Sequence, residues 1–368
     1  MTFSSRAHVR SGVRFVESRI QRGAARSAGR DATIQEQKMT NGVIDVATIE
    51  ALIETACRAP SLHNSQPWKW VIDGRTVHLY ADNERLLPIT DNSGRQLSIS
   101  CGAALDHLRV AAAGADLDSH ITRFPDPAAP DLLATVEFQR AAKTSEEDRT
   151  RAKAILHRRT DRLVFLPPGD WHEVSAVLHD IAIGLGARVE EIPPRRRAEL
   201  AHVSHRAAAL HRYDSTYKAE LQWWTGRSTL PDGIPVTAVP SRAEASRVPF
   251  GRTFPVAEKQ PMHRVEVGVD RSQILVLTTP GDSREDWLRC GEALSTILLE
   301  CTARGLATCP LTHMTELPDS RSLIREMLTG SGVPQVIVRV GSASAWTADP
   351  LTPRRPLADV LTVRPTAG

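Results

Sequence analysis

Apolar residues along the chain fall into two periods, and the switches between them outline the elements. Val46, Ile49, Leu52, Ile53 and Ala56 share one helical face, and the run stops at Ala59-Pro60, where proline disfavours a helical predecessor. Two alternating runs follow in WKWVIDGRTVHLYAD (68–82), a predicted hairpin turning at Gly74. Residues 97–114 are Ala-rich at helical spacing and end at Gly114, a C-terminal cap signal. PDPAAP at 125–130 predicts a loop and LLATVEFQR a strand. A charged helix is expected over 146–159, and helical patterns cover about 170–180 and 195–224. From 225 to 262 neither period holds, and Gly226, Pro231, Gly233, Pro235, Pro240, Pro249, Gly251, Pro255 and Pro261 punctuate the stretch. An irregular segment of that length is a lid or binding loop when it is ordered at all. SQILVLTT (272–279) and PQVIVRVG (334–341) read as buried strands, flanking a strong amphipathic helix over 287–307 that ends near Gly305.

One pattern occurs twice. CGAALDHLRVAAAGAD at 101–116 echoes CGEALSTILLECTARGLA at 290–307, and the order helix, strands, helix, strand surrounds each copy. The chain therefore divides into an extension at 1–40, a first module at 41–150 and a second at 151–368. The second carries a lid-like insertion at about 205–262.

Charge refines the division. The net charge is +3, yet residues 1–40 hold eight basic side chains against three acidic ones, so the remainder is about −2. The basic character belongs to the leading segment, an expected disordered extension with Met39 opening a natural start. The body loses the electrostatic case for nucleic-acid binding. No apolar run approaches the roughly 20 residues that span a bilayer, and no secretory signal pattern opens the chain. Five scattered cysteines (Cys57, Cys101, Cys290, Cys301, Cys309) make a poor disulfide framework and point to a reducing cytoplasm.

The densest chemistry lies in RAPSLHNSQPWKW, 58–70. Ser61, His63, Asn64, Ser65 and Gln66 place five hydrogen-bonding side chains within six positions, between Pro60 and Pro67. Such a loop suits a ligand rich in donors and acceptors, though it also fits an ordinary helix-to-strand connection. Cys301, Cys309 and His313 match no common zinc spacing, and no metal is expected. IGLGAR at 183–188 lacks the glycine spacing of a dinucleotide fold, and PPRRRAE at 193–199 reads as a solvated helix start. Trp223 and Trp224 fit stacking on a ligand and anchoring the insertion equally well.

APSLHNSQPW resembles the flavin-touching loop of the flavin-dependent nitroreductase family. RRTDR at 158–162 resembles its Arg-rich opening, the helix at 290–307 with TCPL its late helix and the loop beside flavin N5, VPQVIVRVG its final core strand, and PRRPL at 353–357 its C-terminal basic pair. ACRAPSLHNSQPW, RRTDR, WWTG and CGEALS are similar to the Acg-type actinobacterial subfamily of NAD(P)H nitroreductases. The resemblance implies an α+β nitroreductase fold, duplicated so that one chain imitates the family's dimer. It implies FMN held by Ser61, His63, Asn64, Gln66 and Trp68 on one side and by Arg158, Arg159, Thr160, Arg162, Arg354 and Arg355 on the other. Amides near Thr308 and Cys309 would face N5, where the chemistry resides, so no side chain is expected to be catalytic. The loop occurs only in the first module and the arginines only in the second, which implies one FMN per chain and a monomer.

The resemblance further implies hydride transfer from NAD(P)H to a small-molecule electron acceptor, a quinone, nitroaromatic or similar compound, with no nucleic-acid or membrane partner. Two alternatives stand beside this. The insertion could shut the site, leaving a flavin-binding or sequestering protein with little turnover, or the chain could be a structural partner that has lost flavin.

Overall fold

The computed structural model describes residues 44–226, 230–255, 262–263, 268–343 and 352–365; the expected extension at 1–40 lies outside the described residues. Helix α1 (Val46–Ala56) leads through the loop at 57–67 into strands β1 (Trp68–Asp73) and β2 (Thr76–Ala81), the predicted hairpin. Helix α2 (Arg95–Gly114) follows, then β3 (Leu117–Arg123) and β4 (Leu132–Arg140). Helices α3 (Glu146–His157) and α4 (Trp171–Gly184) lead to β5 (Arg188–Glu191). The insertion then carries α5 (Arg197–Leu210), α6 (Ser215–Trp223) and the short α7 (Arg242–Ala245). The chain returns through β6 (Gln273–Thr279), α8 (Arg284–Ala303), β7 (Ala307–Leu311), α9 (His313–Glu316), α10 (Pro318–Met327), β8 (Val333–Gly341) and finally β9 (Leu361–Val363).

Two sheets result. The first has the order β3-β4-β2-β1-β9 and the second β5-β6-β8-β7. Every pairing is antiparallel except β1 with β9, which is parallel. The last strand, which the sequence division puts in the second module, thus extends the first module's sheet.

Between the sheets lie α2 and α8, whose backbones nearly touch. A Cβ added at Gly102 would stand 2.0 Å from the Leu288 carbonyl oxygen, and one added at Gly291 would stand 2.0 Å from the Ile99 carbonyl oxygen. Only glycine permits that approach. The contact is reciprocal, since each glycine meets the carbonyl three residues before its counterpart. Burial around nearly the whole of α2 follows from this sandwiched position, and its weak amphipathic pattern is what such a helix requires.

The second sheet is covered on both faces. Leu275, Leu277, Val336 and Val338 face Leu178, Ala182, Leu294 and Ile297 of α4 and α8. Ile274, Val276 and Ile337 face Leu200, Val203, Phe250 and Ile324 on the insertion and α10. The helical stretch expected over 195–224 is broken at Asp214, whose carboxylate accepts from Thr216 N and Tyr217 N and starts a new helix. Within the irregular stretch, Ser241 and Glu244 form a reciprocal capping box that fixes α7. Among the described residues no helix is long and apolar enough to cross a membrane.

Candidate functional site

A cavity of about 570 Å³ opens where the 58–64 loop, α2, residues 158–163, the β7–α9 corner and the insertion meet. Its shape begins with the loop. His63, Asn64 and Gln66 have φ of 50°, 58° and 51°, a left-handed conformation that costs side-chain-bearing residues about 1–2 kcal/mol each. Hydrogen bonds impose it: Ser61 Oγ accepts from Gln66 N at 2.9 Å, and Leu62 N donates to Ser100 Oγ on α2 at 3.2 Å. Strain held in place this way clusters at binding sites.

One part of the wall is cationic without compensation. Arg58, Arg158 and Arg354 all line it. Arg158 is 6% exposed, and its Nε and Nη1 have no hydrogen-bond partner. Burial, then Arg58, pushes its pKa down to about 10. Burial, then Arg158 and Arg58, pushes Arg354 down to about 9. No carboxylate of the described residues offsets either shift. Arg354 is oriented by its own donations, from Nε to Cys57 O at 2.9 Å and from Nη2 to Arg58 O at 2.9 Å, so it also caps the end of α1. One buried guanidinium group, Arg158, thus stands beside two partly exposed ones, Arg58 and Arg354, with Arg58 pushing both of the others down, and a phosphate would match their forked donors.

A second group gathers around His63. Its ring meets Phe254 edge-on at 6.4 Å, and the Arg162 guanidinium lies 5.3 Å from the Phe254 ring centre. Arg162 Nη1 donates to Ala238 O at 3.0 Å. Arg252 donates to Tyr217 Oη at 2.6 Å, to Thr312 Oγ1 at 3.1 Å and to Glu316. Burial first, then Arg252 and Arg162, holds the His63 pKa well below the usual histidine range, so the ring is neutral at physiological pH.

Of the residues singled out from sequence, Ser61, His63, Asn64, Arg158, Arg159, Thr160, Arg162, Cys309 and Arg354 come together on this wall. Gln66, Trp68, Thr308 and Arg355 do not. Gln66 is fully buried and spends its amide on Pro231 O and Arg355 N. Trp68 is a 0%-exposed core residue of β1. Thr308 faces the other side of β7 from Cys309, as strand alternation requires, and bridges to Thr160. Arg355 is a clamp, donating to Gln66 O at 3.2 Å and to Asp359 O at 2.8 Å.

Neither Trp223 nor Trp224 reaches the cavity. Trp224 is an anchor under Arg85, whose guanidinium lies 5.4 Å from its ring centre, and Trp223 is exposed. Cys301 does not reach the cavity, while His313 lines it and is held from the insertion side. Burial pushes the Cys301 thiol up to about 12, and His313 Nε2 stands 2.9 Å from Ser204 Oγ.

Sequence reasoning passed over Arg58, Gln96, Arg252 and Phe254, all on the wall. Arg58 had a signal, being adjacent to the loop that carries the resemblance. Gln96 had none, because it sits in an Ala-rich helix read for its apolar face.

The fold and site define an α+β protein with paired central helices and a cationic, ligand-sized cavity. Residues 182–342 match the family described as Nitroreductase family. The Mycobacterium tuberculosis (strain H37Rv) protein named "Putative NAD(P)H nitroreductase acg" is 46% identical over 327 residues, covering 89% of this chain and 98% of that protein. The "Uncharacterized protein Rv3127" of the same strain is 49% identical over 316 residues, 84% of this chain and 92% of its own. Among solved structures, the FMN-dependent nitroreductase NfnB from Mycobacterium smegmatis in complex with NADPH is 15% identical with a TM-score of 0.36, covering 58% of this chain and 97% of that one. The chain belongs to the nitroreductase family, and with it to the oxidoreductases.

Proposed function

We propose that the cavity binds one FMN per chain, and that the protein passes reducing equivalents from NAD(P)H through it to a quinone, nitroaromatic or similar acceptor. The observation that carries this is the Arg58, Arg158 and Arg354 group: charge without a carboxylate partner, Arg158 buried and the other two partly exposed, on the wall of a cavity of about 570 Å³. That volume lies in the roughly 300–1,000 Å³ range of small-ligand sites. Bound there, FMN would supply the two-electron chemistry between nicotinamide and acceptor. The three arginines would hold its phosphate. Ile99, Leu294 and Val336 offer apolar surface to a ring, while Gln96 and Ser100 offer hydrogen bonds. Neutral His63 adds a polar edge without adding charge, and insertion residues between 234 and 254 line one side of the cavity. The Cys309 thiol is pushed up by burial and stays protonated, which leaves it no nucleophilic part.

We infer also that the chain is an internal duplication imitating a dimer. The order β3-β4-β2-β1 corresponds strand for strand to β7-β8-β6-β5. Each sheet has one register shift near the end of the equivalent strand, at Leu79/Tyr80 and at Leu277/Thr278. The reciprocal Gly102 and Gly291 contacts sit where a twofold axis would pass.

A second reading, a flavin-holding protein with little turnover, draws support from the insertion's share of the cavity wall. Anaerobic mixing of the FMN-loaded protein with NADPH and NADH separates the two. Rapid bleaching of the oxidised flavin is the expected outcome. Bleaching by dithionite alone would favour the holding role.

A further inference from the structure

Asn64 and Gln66 belong to the loop that resembles the family's flavin contacts, yet their amides are turned elsewhere. Gln66 Nε2 donates to Pro231 O at 2.9 Å and to Asn64 O at 3.3 Å, and its Oε1 accepts from Arg355 N at 2.8 Å. Asn64 Nδ2 donates to Gly233 O at 3.0 Å and to Pro353 O at 3.1 Å, while Gly233 N donates back to Asn64 O at 3.4 Å. Between them, Arg85 Nε donates to Ser65 O at 2.5 Å and its Nη2 pairs with Asp232. Three consecutive insertion residues, 231–233, are thus each tied to the 64–66 loop or to its brace, Arg85. An amide offers two donors and one oxygen, so little of Gln66 is left for a ligand, while Asn64 spends its Nδ2 on the insertion and the chain at Pro353 and still lines the cavity.

The tie continues into the cavity roof. Ile234 N donates to Trp224 O and Gly226 N to Ile234 O, both at 2.8 Å, and Ile234 itself lines the cavity. On the far side of Trp224, Glu220 of α6 accepts from Ile89 N at 3.0 Å and Thr90 N at 2.9 Å, a second attachment of the insertion to the first half. The left-handed turn at His63, Asn64 and Gln66 has a consequence here: it places His63 and Asn64 on the cavity wall and ties Asn64 and Gln66 to the insertion. One short loop therefore touches both what the cavity holds and what covers it.

We propose that residues 64–66 with Arg85 form a clasp that keeps insertion residues 231–254 shut over the cavity. Asn64 and Gln66 act on this view as positioning residues of the cover, and opening of the clasp limits exchange of whatever the cavity binds. The first statement stands on hydrogen bonds within the protein. The second rests on the reading of the cavity as an FMN site.

The test uses the full chain and two variants that leave the cavity wall intact, Asp232→Ala and Gln66→Ala. Without ligand, hydrogen–deuterium exchange of peptides within 230–255 is expected to be about 10-fold faster or more in both, as loss of one to three hydrogen bonds requires. Peptides of β6 and β8 are expected to be unchanged. With FMN loaded, its release into a chase is expected to accelerate by a similar factor. Wild-type protection of 230–255 in both variants would overturn the clasp. Faster exchange with an unaltered FMN release rate would overturn its gating role. Failure of the wild-type chain to bind FMN would sink the cofactor reading instead, and the ligand-free exchange would still decide on the clasp. Gln66 is fully buried, so should that variant misfold, Asp232→Ala at the partly exposed pair carries the experiment.

Discussion

The two halves of the chain share a strand order and differ in what hangs from it. In the first half, β1 and β2 are joined by the tight turn at Gly74-Arg75. β5 and β6, which hold the matching places in the second sheet's strand order, are separated by residues 192–272, a stretch that contains the insertion. The burial patterns record the result. β3 alternates between half-buried and exposed positions, whereas β6 and β8 are buried on both faces after their first residue. A sheet covered on one side needs alternation; a sheet covered on both needs a continuous apolar run. The lesson is that the halves carry separate duties. The first supplies a rigid hairpin and the strained 61–66 loop, and the second supplies cover and most of the wall.

Breaking the contact that the halves share should have the largest effect. Gly102→Val or Gly291→Val puts a side chain where a carbonyl oxygen stands 2.0 Å from the Cβ. Each is expected to destabilise by more than about 4 kcal/mol in urea unfolding, and by similar amounts if the helices are true counterparts. A large cost at one glycine and none at the other would break the equivalence. Next comes the cover on the second sheet. Phe250→Ala, at a 0%-exposed position, is expected to cost about 3–5 kcal/mol.

At the site, Arg158→Gln is expected to weaken FMN binding by about 100-fold while leaving the fold as stable or more so, because it removes an uncompensated buried charge. Fluorescence titration with FMN, paired with thermal unfolding, reads both.

A smaller effect distinguishes the start of α2 from that of α8. Asp91 caps α2, accepting from Gln96 N at 2.9 Å and Leu97 N at 2.8 Å, and burial raises its pKa to about 6. A carboxyl raised on folding stabilises below its unfolded pKa, and that stability is lost as pH rises through about 6. The unfolding free energy of Asp91→Asn is therefore expected to gain on the wild type by about 2–3 kcal/mol between pH 4 and pH 7. Constancy of the difference would show that Asp91 does not titrate there. Ser283, the α8 cap, joins a capping box instead, and Ser283→Ala should cost only about 1 kcal/mol at either pH.

The same contrast explains what could be read in advance. β6 and β8 are apolar runs and α8 is an apolar-rich stretch at helical spacing, so the elements of the second core were plain from sequence. β3, LDSHITR, shows little apolar signal because only one face is covered, and it was missed. β9 was missed too: three residues, held by the edge of β1, carry no periodicity of their own. At the site, charge and loop chemistry singled out segments that border the cavity, but not which of their side chains face it. Arg354 and Arg355 are adjacent and chemically identical, and only the backbone direction sends one to the wall and the other to Gln66 and Asp359.

The central claim is that the two halves build one composite flavin site. The direct measurement is the molar ratio of FMN to chain after saturation and removal of excess, with the oligomeric state determined on the same sample. A ratio of one on a monomer, lost in Arg158→Gln, is the expected result. Two flavins per chain would mean that the first half keeps a site of its own, and a ratio of zero would mean that the cavity's arginines await a different anion.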